Sequence, residues 1–165
     1  VIGAFGKVAL RDVAIALVTA LLLFVDAGLR ASGDASFVAH VVGAAAGSLL
    51  TLSAFLVHEW GHWIAAVASG ARVSRPPRKL SPYLFFYDTA RSTRAQFLWM
   101  SFGGYLATAI ALAGIVAWAD LRSTSGLVAV GLSSLGMLVT FVLEVPTTWR
   151  VWRGRPLPTG GVYTS

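Results

Sequence analysis

Two histidines and a glutamate, His58, Glu59 and His62 in the run His-Glu-Trp-Gly-His, are the residues of this chain whose types and spacing can do chemistry. On a helix, positions i and i+4 share one face a turn apart, so both imidazoles can reach one metal ion. Glu59, next to the first histidine, then stands where it can act as general base toward a water held at that ion. The chain has no cysteine, which excludes a thiolate site and a disulfide framework, so any transition metal must be held by His, Asp or Glu. The plainer alternative is that the two histidines cap a hydrogen-bond network between helices.

The surroundings of the motif are apolar. No charge occurs from Ala35 to Val57, and the whole chain of 165 residues is 56% hydrophobic with 12% charged residues. That balance excludes an ordinary soluble domain and predicts an all-α polytopic membrane protein of one domain, residues 1–165. The net charge of +6 does not point to nucleic acid, because the basic residues sit between apolar runs rather than along one polar stripe. Richness in Ala, Gly, Val and Arg is associated with bacteria of GC-rich DNA.

Four spans are predicted, at about 7–30, 37–69, 95–119 and 123–149, followed by an extended tail over 150–165. The uncharged core of the first, Val13 to Val25, is short of the ~20 residues a crossing needs. Arg11, Asp12, Asp26 and Arg30 can lengthen it by snorkelling. A processed signal peptide competes with a retained helix here, and the topology of the remaining spans favours the helix. The second span, at ~1.5 Å per residue, is ~50 Å long and must tilt, bend or project from the bilayer. Its Gly43 and Gly47 suit either close helix packing or a kink.

Between the second and third spans, residues 71–94 carry Arg72, Arg75, Arg78, Lys79, Arg91 and Arg94 against a lone Asp88. Pro76-Pro77 and Ser81-Pro82 break any helix there. The intervening Tyr83-Leu84-Phe85-Phe86-Tyr87 is too short to span and reads as a re-entrant or β segment at the mouth of a site, or as an aromatic anchor at the headgroups. Basic segments at Lys7 and Arg11, at 71–94 and after Arg150 alternate with short, charge-balanced connections. The positive-inside rule then predicts a multi-pass protein of the cell (inner) membrane with both termini cytoplasmic.

That topology puts Glu144, on the fourth span, at the same side as the motif. From the span ends, Glu144 lies roughly 7–8 Å inside the interface and the histidines roughly 10–17 Å. A catalytic zinc site takes three protein ligands and leaves one position open, so Glu144 is the candidate third ligand beside His58 and His62. A salt bridge from Glu144 to Arg150 is the competing role, and Asp88 is a weaker ligand candidate. His40, ~27 Å from His58 along a helix, is out of reach and reads as a packing or hydrogen-bonding residue.

The stretch His58-Glu59-Trp60-Gly61-His62-Trp63-Ile64-Ala65-Ala66, followed by Gly70-Ala71-Arg72-Val73, resembles the site-2 protease family of intramembrane zinc metalloproteases. The order of elements is similar too, from about 37 to 149: a motif helix, a connection able to form strand, a second helix, and a third bearing an acidic ligand. The resemblance implies that the last three helices form a site-2-protease-like core, with Zn2+ bound by His58 and His62 and water activated by Glu59. The chain departs from the family in its third motif, where Phe141-Val142-Leu143-Glu144-Val145-Pro146 stands in place of an Asp-Gly pair. Gly103-Gly104-Tyr105 lacks the usual Gly-Pro, and no PDZ-like insert is present. The expected function is zinc-dependent cleavage of a transmembrane segment of a membrane-protein substrate. The alternative is a non-catalytic, protease-derived subunit packed in a larger membrane complex.

Overall fold

A computed structural model of the chain describes residues 2–74, 84–160 and 163–164. Arg75, Pro76, Pro77, Arg78, Lys79, Ser81, Pro82 and Tyr83, with the expected helix break at the prolines, lie outside the described residues. Four helices dominate: α1 (Ile2–Ala31), α2 (Phe37–Ala68), α3 (Arg94–Trp118) and α4 (Thr124–Trp152). All four are long and apolar enough to cross a membrane.

Their starts follow from local chemistry. Ser36 accepts a hydrogen bond from the Ala39 amide at 3.2 Å, and Ser123 accepts one from the Gly126 amide at 3.0 Å. Thr93 and Gln96 form a reciprocal capping box at the start of α3. Each of these side chains satisfies an amide that has no partner inside its own helix. α2 ends at Gly70, whose φ of +74° closes the turn at little steric cost.

Strands β1 (Val73–Ser74), β2 (Phe86–Asp88) and β3 (Tyr163–Thr164) form one small sheet in the order β1-β2-β3. β1 and β2 are antiparallel, whereas β2 and β3 are parallel. The aromatic stretch after Tyr83 therefore ends in a strand. The tail differs from the extended segment expected over 150–165: α4 continues to Trp152, and the chain then returns to pair with β2.

The bundle is apolar on its outside. Phe24, Phe37 and Trp118 are 78%, 83% and 92% exposed, the pattern of helices whose solvent is lipid rather than water. The buried core gathers instead at one end, where Leu84, Phe85 and Tyr87 pack on Ala66 of α2, Phe97 and Met100 of α3 and Val151 of α4. The sheet thus lies against the same end of the bundle as the His-Glu-Trp-Gly-His motif.

α1 departs from its expected behaviour in one respect. Asp12 and Asp26 do not snorkel outward to lengthen the span. Asp12 is buried and accepts a hydrogen bond from the Trp60 indole at 2.9 Å, while Asp26 accepts one from the Ser125 hydroxyl at 2.7 Å. A carboxylate among apolar helices is costly unless partnered, so each finds a donor on a neighbouring helix. The two aspartates pin α1 to α2 at one end and to α4 at the other. Gly43 and Gly47 likewise serve packing: a Cβ at Gly47 would lie 2.5 Å from the Ser125 carbonyl oxygen and 2.9 Å from the Val128 Cβ.

Candidate metal centre

His58 and His62 lie in the unbroken α2 and are buried at 4% and 9% exposure. Their Nε2 atoms are 3.1 Å apart. Glu144 reaches in from α4 with one carboxylate oxygen on each histidine, Oε1 at 3.4 Å from His58 Nε2 and Oε2 at 3.4 Å from His62 Nε2. One ligand atom from each of the three residues falls within 4.8 Å of the others. The competing partner for Glu144 turns elsewhere, since Arg150 Nε donates to the Pro146 carbonyl at 3.3 Å.

The outer nitrogens set the direction of the rings. His62 Nδ1 donates to the Met100 carbonyl at 2.8 Å. His58 Nδ1 lies 3.2 Å from the Gly104 carbonyl and 2.7 Å from the Thr108 hydroxyl, both able to accept its N–H. With the proton on Nδ1, each neutral ring points the lone pair of Nε2 toward the other ring and toward Glu144. Two lone pairs and a carboxylate converging on one point repel unless a proton or cation lies between them. Donors about 2.0–2.1 Å from one tetrahedral zinc stand roughly 3.3 Å apart; here the two Nε2 atoms are 3.1 Å apart and each lies 3.4 Å from a different Glu144 oxygen. The second-nitrogen hydrogen bonds are those that orient metal-ligating histidines generally. The donor set could hold a metal ion.

Glycines on α3 make room for this arrangement. A Cβ at Gly104 would collide with the His62 ring, and one at Gly61 would sit 2.6 Å from the Gly103 carbonyl oxygen. Gly103 and Gly104 therefore let α3 approach the motif face closely enough for its carbonyls to reach the imidazoles. The capacity of Gly103-Gly104 to bring α3 this near depends on the partner helix, which the sequence does not name.

Glu59 does not join the ligand cluster. Its Oε2 accepts a hydrogen bond from the Leu84 amide at 3.3 Å, which ties it to the segment leading into β2. It lines a cavity of about 220 Å³ together with His62, Glu144, Phe85, Tyr87, Met100 and Tyr163, among others. The carboxylate thus sits at the edge of a space that also reaches two of the three candidate ligands. Burial pushes the Tyr87 phenol above its usual range, so it stays an uncharged hydroxyl.

The remaining sequence candidates fall elsewhere. Asp88 accepts a hydrogen bond from the Arg91 amide at 3.1 Å and is not part of the cluster. His40 is exposed rather than packed, and it too is outside the cluster. Sequence reasoning missed Thr108, the Asp12–Trp60 contact and Tyr163. For Asp12, a carboxylate at the margin of an apolar span was an available signal; for Thr108 and Tyr163 there was none. No protein-family model, characterised protein or solved structure matches the chain.

Proposed function

We propose that this chain is a zinc-dependent intramembrane endopeptidase that cleaves a transmembrane segment of a membrane-protein substrate. The observation that carries the reading is the convergence of His58 Nε2, His62 Nε2 and both Glu144 oxygens, with the carboxylate of Glu59 on the adjoining cavity. The resemblance of the motif to site-2 proteases, and the fit of Glu144 where that family has aspartate, support it further.

His58, His62 and Glu144 would hold a zinc ion, which when bound supplies Lewis acidity to a water and to the scissile carbonyl. Met100 and Gly104 carbonyls keep the two imidazoles in the tautomer that presents Nε2. Glu59 takes the proton of the attacking water and passes it to the leaving amine, the general base becoming the general acid. Phe85, Tyr87 and Leu143 wall the cavity and limit water around the reacting groups. An intact helix conceals its carbonyls in its own hydrogen bonds, so the substrate is a locally unwound segment. By the positive-inside rule the site faces the cytoplasmic half of the cell membrane.

The test combines metal analysis with cleavage of a co-expressed single-span reporter. Wild type is expected to carry about one zinc per chain, as a single three-ligand site would. Glu59→Gln should retain the zinc and lose cleavage, whereas His62→Ala should lose both. Equal turnover of the reporter by Glu59→Gln sinks the protease reading. A metal-free wild type that co-purifies with stable membrane partners supports the non-catalytic subunit instead.

A further inference from the structure

β2 has two edges, and both are taken. β1 pairs with it on one side; on the other lies β3, parallel and in the register Tyr87 to Tyr163 and Asp88 to Thr164. β3 comes from the segment after α4, at the far end of the sequence. It arrives at the cavity that holds the candidate centre: Tyr163 lines the same space as Glu59, His62 and Glu144. Gly160, at φ +83°, and Tyr163 exchange backbone hydrogen bonds of 3.1 and 3.2 Å. The Tyr163 ring then sits 5.8 Å from that of Phe97 and packs on the buried cluster around Phe85 and Tyr87.

This arrangement is that of a peptide added to a sheet edge. Backbone pairing supplies affinity with little regard to sequence, and alternate side chains enter pockets. The edge of β2 that faces the cavity is also where an unwound segment could satisfy its backbone groups, which find no partner in a lipid environment. Two strand residues make up β3, a short pairing.

Resting on the endopeptidase reading, we propose that β3 is a displaceable intramolecular occupant of the substrate-docking edge of β2. The chain covers its own site with Tyr163, and an extended substrate segment must take the place of β3 to reach Glu59. The partner that fits the edge is an extended, apolar segment of a membrane protein, held by main-chain pairing beside Tyr87.

The chain is free of cysteine, so a pair introduced at Asp88→Cys and Thr164→Cys reports the pairing directly. Neighbouring strands lie about 4.7–4.9 Å apart, within the span a disulfide bridges. In nanodiscs, and in a Glu59→Gln background, mild oxidation should form the bridge. An excess of the single-span reporter, its segment loosened by a central Gly-Pro, should slow its formation about tenfold, as expected when the competent state must first be freed. In the active chain, Tyr163→Ala should raise the initial cleavage rate roughly three- to tenfold. A bridge that does not form, or that forms at the same rate with and without reporter, overturns the proposal. If no variant cleaves the reporter, the protease reading fails, while the effect of the reporter on bridge formation still decides whether the two segments compete for β2.

Discussion

The two ends of α2 are built with the same devices and reach different results. At the end near Phe37, Gly43 and Gly47 admit the first turns of α4, and Asp26 of α1 is buried against Ser125. At the motif end, Gly61 meets Gly103 of α3, and Asp12 of α1 is buried against Trp60. Each end pairs a glycine contact with an aspartate from α1. The difference lies in how completely the polar groups are satisfied. Asp26 accepts from Ser125 and from Arg30, whose guanidinium also reaches Asp120 at 3.3 Å, so each carboxylate there has a donor. At the motif end the histidine Nε2 atoms and the Glu144 carboxylate face one another with acceptors on every side. The first cluster, whose carboxylates all meet donors, acts as a clasp between helices, whereas the second could hold a metal ion.

Perturbing the two ends in parallel tests that distinction, beginning with the largest effect. Gly104→Ala places a methyl group where the His62 ring lies, so zinc affinity should fall at least about 10- to 100-fold, the range seen when histidine orientation is lost. Gly131→Ala, with open space around the added atom, should leave it unchanged. Isothermal zinc competition with a chelator reads both, and equal affinity in the two variants would remove Gly104 from the site. At the other end, Gly47→Val drives side-chain atoms into the backbone of α4 and should cost about 1–3 kcal/mol of stability. Zinc per folded chain should stay the same; a drop would mean that the two ends are not separable.

Smaller effects follow for the aspartates. Asp12→Ala leaves the Trp60 indole without its acceptor, at a cost of about 1–3 kcal/mol, and should weaken zinc binding as the motif helix loosens. Asp12→Asn keeps an acceptor oxygen and should lose less than half of that. Identical losses for the two variants, measured by thermal denaturation, would show that charge rather than the hydrogen bond matters. The smallest change is expected from Asp120→Ala, whose pairing with Arg30 is exposed and contributes under ~1 kcal/mol.

The elements were legible because the bilayer imposes simple rules. Spans at about 37–69, 95–119 and 123–149 correspond to α2, α3 and α4 within a few residues, bounded by Ser36, Thr93 and Ser123, whose side chains cap helices for reasons local to the chain. Glu144 was legible as a candidate because a carboxylate within an apolar span demands a partner. The roles of Asp12 and Asp26 were misjudged for a related reason: near the end of a span, outward snorkelling and inward pairing look alike in one dimension. β3 was not legible at all. A two-residue strand has no periodicity to read, and its parallel partner lies 76 residues earlier in the register Tyr87 to Tyr163.

What the sequence by itself determined is the material of the site and its helical frame. The i, i+4 spacing of His58 and His62 puts two imidazoles on one helix face, and the absence of cysteine limits the ligands to nitrogen and oxygen. Only the tertiary structure decided which carboxylate faces them, which carbonyls hold their outer nitrogens, and which segment covers the cavity. Those contacts join residues from α2, α3, α4, β2 and β3, and their separations depend on packing at Gly61, Gly103 and Gly104 that no local pattern encodes. A helix repeat fixes direction along its own axis; the distance between axes is set by the residues that fill, or leave empty, the space between them.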